Sequence, residues 1–216
     1  LAGHAKELDL RIVEFKGGSL RNAIPREGFV TVAVPTANQE KLASLYNDYT
    51  ELLSTELGKI EDSIVTFNEE VTVEMGTLAQ VEQTRFIAAL NACPNGVIRM
   101  SDEIEGVVET STNLGVIKTE DNLLHIQCLV RSLIDSARLN TQNMITSTFE
   151  LTGASIECTG AYPGWEPKTD SPIKDILRET YQTMFGTLPN IMVIHAGLEC
   201  GLFKDAYPHW DMVSFG

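Results

Sequence analysis

One pattern of alternation and helical periodicity occurs twice in this 216-residue chain, and it constrains the fold more than any other feature. Residues 11–59 and residues 107–152 each run strand, turn, strand and long helix. Identity between the two halves is negligible, so only the order of predicted elements repeats. Two such units bury their apolar faces together when they share one antiparallel sheet with the helices on one face. The sequence therefore predicts an α+β fold in which two split βαβ-like halves build that sheet.

Hydrophobic alternation predicts the individual strands. The most regular case is residues 123–130, in which every second residue is apolar and which delivers Arg131 at its end. Periods of three and four residues predict long helices after Pro35 and over residues 136–151. The same alternation predicts further strands at residues 10–15, 29–34, 64–73 and 155–159.

The last quarter of the sequence has a different texture. A connector rich in proline and glycine leads to Ser171 and Pro172, which supply the N-cap and first-turn residues of another helix. The unbroken apolar run at residues 191–194 is typical of a strand buried on both faces. We therefore expect one domain over residues 1–160 and part of a second, α/β domain over residues 161–216.

The charge and hydropathy of the chain disfavour two classes of partner. A formal net charge of −14 argues against a nucleic-acid surface, which needs clustered lysine and arginine. No apolar run approaches the length of a membrane span. Four scattered cysteines without a CxxC pair indicate reduced thiols and a cytoplasmic protein. The sequence also opens and closes within predicted elements, so we expect it to be part of a longer protein.

A polar loop links the first two predicted strands, and it is more elaborate than a chain reversal requires. Residues 17–27 read GGSLRNAIPRE, in which two glycines permit unusual backbone conformations and Pro25 stiffens the connection. A hairpin needs only about two to five turn residues. Asn22 is among the polar side chains presented here, and the loop is either a functional arm or an ordinary surface connection.

Two further segments place reactive side chains after predicted strands. Arg131 can bind a carboxylate through both guanidinium nitrogens, or it can form a salt bridge with Asp135 or Glu109 at the rim of the sheet. His195 and Glu199 follow the apolar run four residues apart. They can be metal ligands, a histidine beside a capping carboxylate, or part of a substrate pocket. The sequence contains no nucleophile motif, phosphate-binding loop or dinucleotide fingerprint.

Six segments, taken in order along the chain, resemble those of bacterial aminoacyl-histidine (Xaa-His) dipeptidases. These enzymes belong to the clan of dizinc aminopeptidases and carnosinases, and the resemblance runs nearly from end to end of the sequence. The segments that carry it are GGSLRNAIPRE, CPNGVIRMSDEIEGVVETSTNLGVI, QCLVRSLIDS, GAYPGWEP, IHAGLECGLF and DMVSFG.

This resemblance implies a cytoplasmic, homodimeric hydrolase that releases histidine from dipeptides of the carnosine type. In such an enzyme a hydroxide that bridges two zinc ions attacks the peptide carbonyl, with a glutamate as general base. Family members insert a lid, built around an antiparallel sheet, into an α/β catalytic domain. By this resemblance residues 1–160 are most of the lid, and residues 161–216 are part of the returning catalytic domain.

The resemblance also carries three substrate-binding roles onto this sequence. Asn22 matches an asparagine that follows the lid glycines and contacts the substrate or its developing oxyanion. Arg131 is similar to a strand-terminal arginine that holds the substrate carboxylate, and Glu199 occupies a substrate-pocket position. The family's metal-binding residues match nothing in this chain. We therefore expect the zinc ligands to lie outside it, and the chain alone to be inactive.

The residues alone leave a second class of function open. A non-enzymatic α+β module could bind small ligands or dimerise through a sheet edge, as ferredoxin-like regulatory domains do. The repeated pattern and the lack of a catalytic cluster in the sequence favour this alternative.

Overall fold

The computed structural model describes residues 3–74, 76–161, 163–165, 168, 170–193 and 199–215, without the side chains of Glu199 and Asp205. Within these ranges the chain forms five strands and five α-helices, which confirms the predicted α+β class. A short 3-10 helix, Thr36–Asn38, precedes the first α-helix. In chain order the elements are β1 (Arg11–Gly17), β2 (Gly28–Ala33), α1 (Gln39–Leu57), α2 (Gln80–Ala92), β3 (Gly96–Met100), β4 (Val108–Glu120), β5 (Leu123–Ser132), α3 (Asp135–Glu150), α4 (Pro172–Phe185) and α5 (Glu199–Ala206).

The sheet is assembled around β4. One edge of β4 pairs with β5 along almost the whole strand, from the Thr110/Ser132 pair to the Glu120/Leu123 pair. Its other edge is shared between β3 and β1, and β1 also pairs with β2. The pairings among these strands are all antiparallel, as the sequence predicts. Because β1 reaches β4, the two repeated halves, β1–β2–α1 and β4–β5–α3, form a single sheet.

The two faces of β4 and β5 have different surroundings. Leu114 of β4 and Ile126 of β5 pack into the apolar clusters that helices α1, α2 and α3 complete. Asn113 lies one residue from Leu114, and Arg131 lies five residues from Ile126. Because side chains alternate along a strand, Asn113 and Arg131 project from the opposite face. We call this the loop face, since the connection between β1 and β2 crosses it.

Two adjoining apolar clusters fill the space between the sheet and the helices. Burial of each large apolar side chain contributes about 1.5–3 kcal/mol to the stability of the fold. Helix α2 supplies residues to both clusters and therefore joins the two halves. The rings of Phe15 and Phe86 meet edge to face, with centroids 6.2 Å apart. The buried members are Leu8, Leu10, Ile12, Phe86 and Ile117 in the first cluster, and Ala89, Cys93, Ile145 and Phe149 in the second.

The last long helix begins as the sequence predicts. The Ser171 hydroxyl accepts a hydrogen bond from the Lys174 N–H at 3.3 Å, and Pro172 is the first residue of α4. Gly186 ends the helix with a φ of 72°, in the left-handed region that favours glycine. None of the helices in the described part of the chain is long and apolar enough to cross a membrane.

Two of the predicted strands are wrong. Residues 64–73 and 155–159 are described throughout and form no strand. In the first segment Val65 is 85% exposed and only the Phe67 ring finds an aromatic partner, Phe29, at 5.8 Å between centroids. Alternation reports β-propensity, but a strand also needs a neighbouring backbone to pair with. Strand β3 was not predicted, because its exposed residues do not alternate in polarity.

The predicted buried strand at residues 191–194 is also wrong over the part that is described. Residues 191–193 are outside any strand, and the side chains of Ile191 and Met192 are 57% and 80% exposed. Ile194 lies outside the described residues. An apolar run predicts a buried strand only where other strands flank it, and no described strand pairs with this segment.

Candidate functional site

The connection between β1 and β2, residues 18–27, crosses β4 at a glycine. Gly18 has a φ of 67°, and a Cβ atom there would overlap the carbonyl oxygen of Gly115. A Cβ atom on Gly115 would lie 2.7 Å from the Cα of Arg21. Glycine at both positions is therefore what allows the loop backbone to lie against the strand.

A four-residue turn within this loop presents Asn22. The Ala23 N–H donates to the carbonyl oxygen of Leu20 at 3.2 Å, and Asn22 is the third residue of the turn, with an exposed side chain. The side-chain amide of Asn113 donates to the carbonyl oxygens of Arg21, at 2.9 Å, and Ala23, at 2.7 Å. The two peptide carbonyls that bracket Asn22 are therefore held by one residue of β4.

Sequence reasoning did not single out Asn113, although the sequence carries a signal for it. Asparagine is depleted in strand interiors, and Asn113 stands in the middle of the longest strand, two residues before Gly115. A polar residue that disfavours strands, two residues from a glycine in the same strand, indicates a place where another backbone approaches closely.

Arg131 lies on the same face of the sheet as this loop. It is near the end of β5 and pairs with Ser111 of β4, two residues before Asn113. The alternative partners considered for it are engaged by other arginines. Glu109 is 3.4 Å from Arg99 Nε, and Asp135 is 3.6 Å from Arg138 Nε. This geometry does not support a rim salt bridge as the role of Arg131.

A cavity of about 280 Å³ lies beside β5 and α3, and the guanidinium-bearing residues Arg21, Arg131 and Arg138 all line it. The chain carries only 16 lysines and arginines against 30 acidic residues, so three arginines at one cavity concentrate positive charge. Guanidinium groups bind carboxylates with two parallel hydrogen bonds. Glu157 lines the same cavity, so its three arginines exceed the carboxylates there by two, and this excess suits a small anionic group.

One wall of this cavity is a short segment that is tied to the start of α3. The Gly164 N–H donates to Asp135 Oδ1 at 3.0 Å, and Lys204 Nζ donates to the Gly164 carbonyl oxygen at 3.2 Å. A Cβ atom on Gly164 would overlap the carbonyl group of Leu133. Backbone contact thus attaches the segment after residue 160 to the end of the sheet.

The third predicted substrate residue cannot be placed in the same way. Glu199 is the first residue of α5, and its side chain is not described. His195, the other half of the candidate pair, lies outside the described residues. Their proposed roles stay predictions.

The residues described here do not suit the two zinc ions that the resemblance implies. Among them no three side chains of histidine, cysteine, aspartate or glutamate are grouped as metal ligands would be. A zinc site needs three or four such ligands close together. We therefore derive no catalytic step through a metal from this part of the chain.

Comparisons with known proteins give a consistent result. A family model described as a peptidase dimerisation domain matches residues 2–61, which include β1, β2 and α1. The cytosol non-specific dipeptidase of Escherichia coli (strain K12) is 52% identical over all 216 residues, which span 44% of that protein. The crystal structure of the aminoacylhistidine dipeptidase from Vibrio alginolyticus superposes with a TM-score of 0.93 and 68% identity, over all of this chain and 44% of that one.

The fold and these matches define a segment of a peptidase that includes a dimerisation domain. More narrowly, the chain is similar over its whole length to a cytosol non-specific dipeptidase and to an aminoacylhistidine dipeptidase, which confirms the resemblance read from its motifs. It spans less than half the length of the relatives that it matches.

Proposed function

We propose that this chain forms the lid and part of the catalytic region of a zinc-dependent dipeptidase whose substrates are dipeptides with a C-terminal histidine. The observation that carries the proposal is that the loop with Asn22 and the side chain of Arg131 share the loop face, beside a cavity lined by three arginines. Similarity to an aminoacylhistidine dipeptidase over the whole chain supports the substrate class.

In this proposal each of the predicted substrate residues has a distinct role. Arg131 binds the substrate's carboxylate, because a guanidinium group can hold both carboxylate oxygens. Asn22 contacts the carbonyl oxygen of the substrate's peptide bond as negative charge develops on that oxygen. Glu199 contributes a carboxylate to the substrate pocket. The zinc ligands belong to parts of the enzyme outside this chain, so the chain alone should neither bind zinc tightly nor turn over substrate.

The division into domains and the assembly are part of the same proposal. Residues 1–160 form the lid, and residues 161–216 belong to the catalytic domain. The enzyme is a cytosolic homodimer, in which β2 and α1 supply the contact between protomers. The match of a dimerisation domain to residues 2–61 supports this, as do the exposed apolar side chains of Phe29 on β2 and Tyr49 on α1, at 46% and 59% exposure.

The test of the proposal uses the intact, zinc-loaded enzyme and two substrates that differ only at the C-terminus. β-Alanyl-histidine carries the carboxylate, and β-alanyl-histidinamide does not. Arg131→Ala should raise KM for the acid by roughly tenfold or more, since hydrogen bonds to a charged group contribute about 1.5–3 kcal/mol. The KM for the amide should change little. Arg131→Lys should retain part of the affinity for the acid, because it keeps the charge without the planar fork.

The control variant is Arg85→Ala, which removes an exposed arginine of α2 that pairs with Glu82 at 3.5 Å. This variant should leave KM unchanged for both substrates. Equal losses for acid and amide in Arg131→Ala would remove the carboxylate role. Equal turnover of dipeptides with and without histidine would remove the histidine preference and leave a general dipeptidase.

The alternative function, a non-enzymatic ligand-binding or dimerisation module, remains distinguishable by the same assay. The repeated β–β–α halves are the feature that favours it. Turnover of neither substrate by the intact, zinc-loaded protein would support the module and contradict the dipeptidase.

A further inference from the structure

Asn113 contacts the proposed site indirectly, through the loop backbone on either side of Asn22. Its amide nitrogen donates to the carbonyl oxygens of Arg21 and Ala23, which precede and follow Asn22. Asn113 is half-buried, while Asn22 is exposed. Both donor hydrogens of the amide are thus engaged by the loop backbone.

A β-bulge places Asn113 where it can reach this loop. Leu114 pairs with Cys128 and Val116 pairs with Gln127, so Gly115 is an extra residue in β4 that has no partner in β5. A bulge bends its strand and redirects the neighbouring side chains. The extra residue is the glycine against which the Cα of Arg21 lies, so the bulge and the amide bonds restrain the same turn.

Because side chains alternate between the two faces of the sheet, Asn113 lies on the same face as Arg131, and this links the position of the turn to that of Arg131. Asn113 and Arg131 project from the loop face at positions two residues apart along the β4–β5 ladder, where Ser111 pairs with Arg131 and Asn113 with Leu129. A β-ladder is rigid compared with a loop of ten residues. A turn attached to β4 through Asn113 therefore keeps a fixed position relative to the strand that carries Arg131.

We infer that Asn113, together with the bulge at Gly115, is a positioning residue that holds the Asn22 turn in register with Arg131. The inference rests on the proposed role of Asn22 in binding substrate. Displacement of a catalytic contact by about 1 Å can lower the rate up to a hundredfold, so the loss of two hydrogen bonds behind Asn22 should be visible in kcat.

The test compares Asn113→Asp and Asn113→Gln in the intact, zinc-loaded enzyme. Aspartate has the same shape but removes both donors and sets a carboxylate against two carbonyl oxygens, whereas glutamine keeps the amide on a longer stem. With β-alanyl-histidine, Asn113→Asp should lower kcat by roughly tenfold with little change in KM. Asn113→Gln should recover part of that loss. Asn95→Asp is the matched control, because Asn95 accepts from the Leu114 N–H at 2.8 Å and aspartate can still accept.

A double-mutant cycle with Asn22→Ala separates positioning from a general structural effect. If Asn113 acts through Asn22, Asn113→Asp should cost little more once Asn22 has been removed. A full, additive loss in the Asn22→Ala background would overturn the inference. Hydrogen–deuterium exchange of residues 18–27 gives a second readout that does not depend on catalysis. Exchange should become several-fold faster in Asn113→Asp, and unchanged exchange would also overturn it.

These results distinguish this inference from the proposed function. If Asn22→Ala lowers kcat/KM and Asn113→Asp does not, the substrate role of Asn22 stands and the positioning role fails. If Asn22→Ala leaves the kinetics unchanged, the substrate role of Asn22 fails, and Asn113 is then only a structural tie of the loop.

Discussion

Gln83 accepts a hydrogen bond from the backbone N–H of Ile12 at 2.7 Å, although the two residues are 71 positions apart and both are almost fully buried. The same side chain donates through Nε2 to the carbonyl oxygen of Leu10 at 2.8 Å. A helix residue thus completes the hydrogen bonding of the chain as it enters β1. Buried backbone groups need such partners, because water does not reach them.

We expect Gln83→Leu to destabilise the fold by about 2–4 kcal/mol, since it leaves one buried N–H and one buried carbonyl without partners. Denaturant unfolding of the two proteins measures the difference. Gln80→Ala, one turn earlier on α2, is the control. Gln80 accepts from the guanidinium of Arg11 at 3.1 Å in an exposed position, so its loss should cost well under 1 kcal/mol. Equal effects of the two substitutions would contradict the role assigned to Gln83.

Gly115→Ala should displace the Asn22 loop without unfolding the sheet. The new methyl group would lie 2.7 Å from the Cα of Arg21, which is backbone and cannot rotate away. We expect kcat/KM of the intact enzyme to fall by roughly tenfold or more, because the turn must move off the strand. Gly28→Ala, at the start of β2, is the control, since a methyl group there meets nothing within 4 Å. A crystal structure of Gly115→Ala with the loop unmoved would refute this prediction.

The stability supplied by Asp211 should depend on pH. Its carboxylate accepts from the Ile173 N–H at 2.9 Å and the Ser171 hydroxyl at 2.8 Å, at the start of α4. The hydrogen bond from Ile173, with a smaller contribution from Ser171, lowers the pKa of Asp211 below its ordinary 3.8. A lowered folded-state pKa means that the stabilisation is complete above the unfolded pKa and is lost as pH falls through the folded one.

Asp211→Ala should therefore lower Tm at neutral pH, and the difference from the unsubstituted chain should shrink as pH falls below about 4. Thermal unfolding at a series of pH values measures this. Asp170→Ala is the control, because it removes an exposed carboxylate just before the same helix. A difference that stayed constant down to pH 2 would show that Asp211 stabilises α4 by some other means.

The four thiols should differ in their rate of alkylation. Cys158 is exposed, whereas Cys93 is buried and lies beside the half-buried Cys128. The neighbouring Cys93 thiol, followed by burial, raises the pKa of Cys128, and the Cys128 thiol lowers that of Cys93. Only the thiolate reacts. At pH 7.5 iodoacetamide should modify Cys158 at least tenfold faster than Cys128, as peptide mass spectrometry can measure site by site.

The variant Cys158→Ser should remove the fastest phase of labelling, and full unfolding in guanidinium should bring the remaining thiols to similar rates. A fast phase that survived in Cys158→Ser would place the reactive thiol elsewhere.

The sequence predicts a strand correctly where a local alternation of apolar residues coincides with a neighbouring strand in the folded chain. The alternation at residues 123–130 predicts β5, and β4 supplies a paired neighbour along its whole length. At residues 64–73 a less regular alternation finds no strand to pair with, and propensity alone does not make a sheet. The difference lies in contacts that are distant in sequence, which a single chain's periodicity does not contain.

The same distinction applies to the candidate site. Asn22 and Arg131 were identified from motifs, but their placement on one face follows from the β4–β5 register, which motifs do not give. Asn113 was missed because its partners are backbone carbonyls 90 and 92 positions away. The substrate-pocket role of Glu199 stays a prediction, because its side chain is not described.

The central place of β4 has a consequence for how the chain acquires its structure during synthesis. The hairpin of β4 and β5 closes through Asp121 and Asn122, both with positive φ, so its contacts are local and can form within microseconds. Strand β1 emerges from the ribosome about 100 residues before β4, its second partner after β2, and at about 5–20 residues per second it must wait roughly 5–20 s for it. During that interval the edge of β1 at Lys16 and Gly17, which β4 later covers, is open to pairing with another chain.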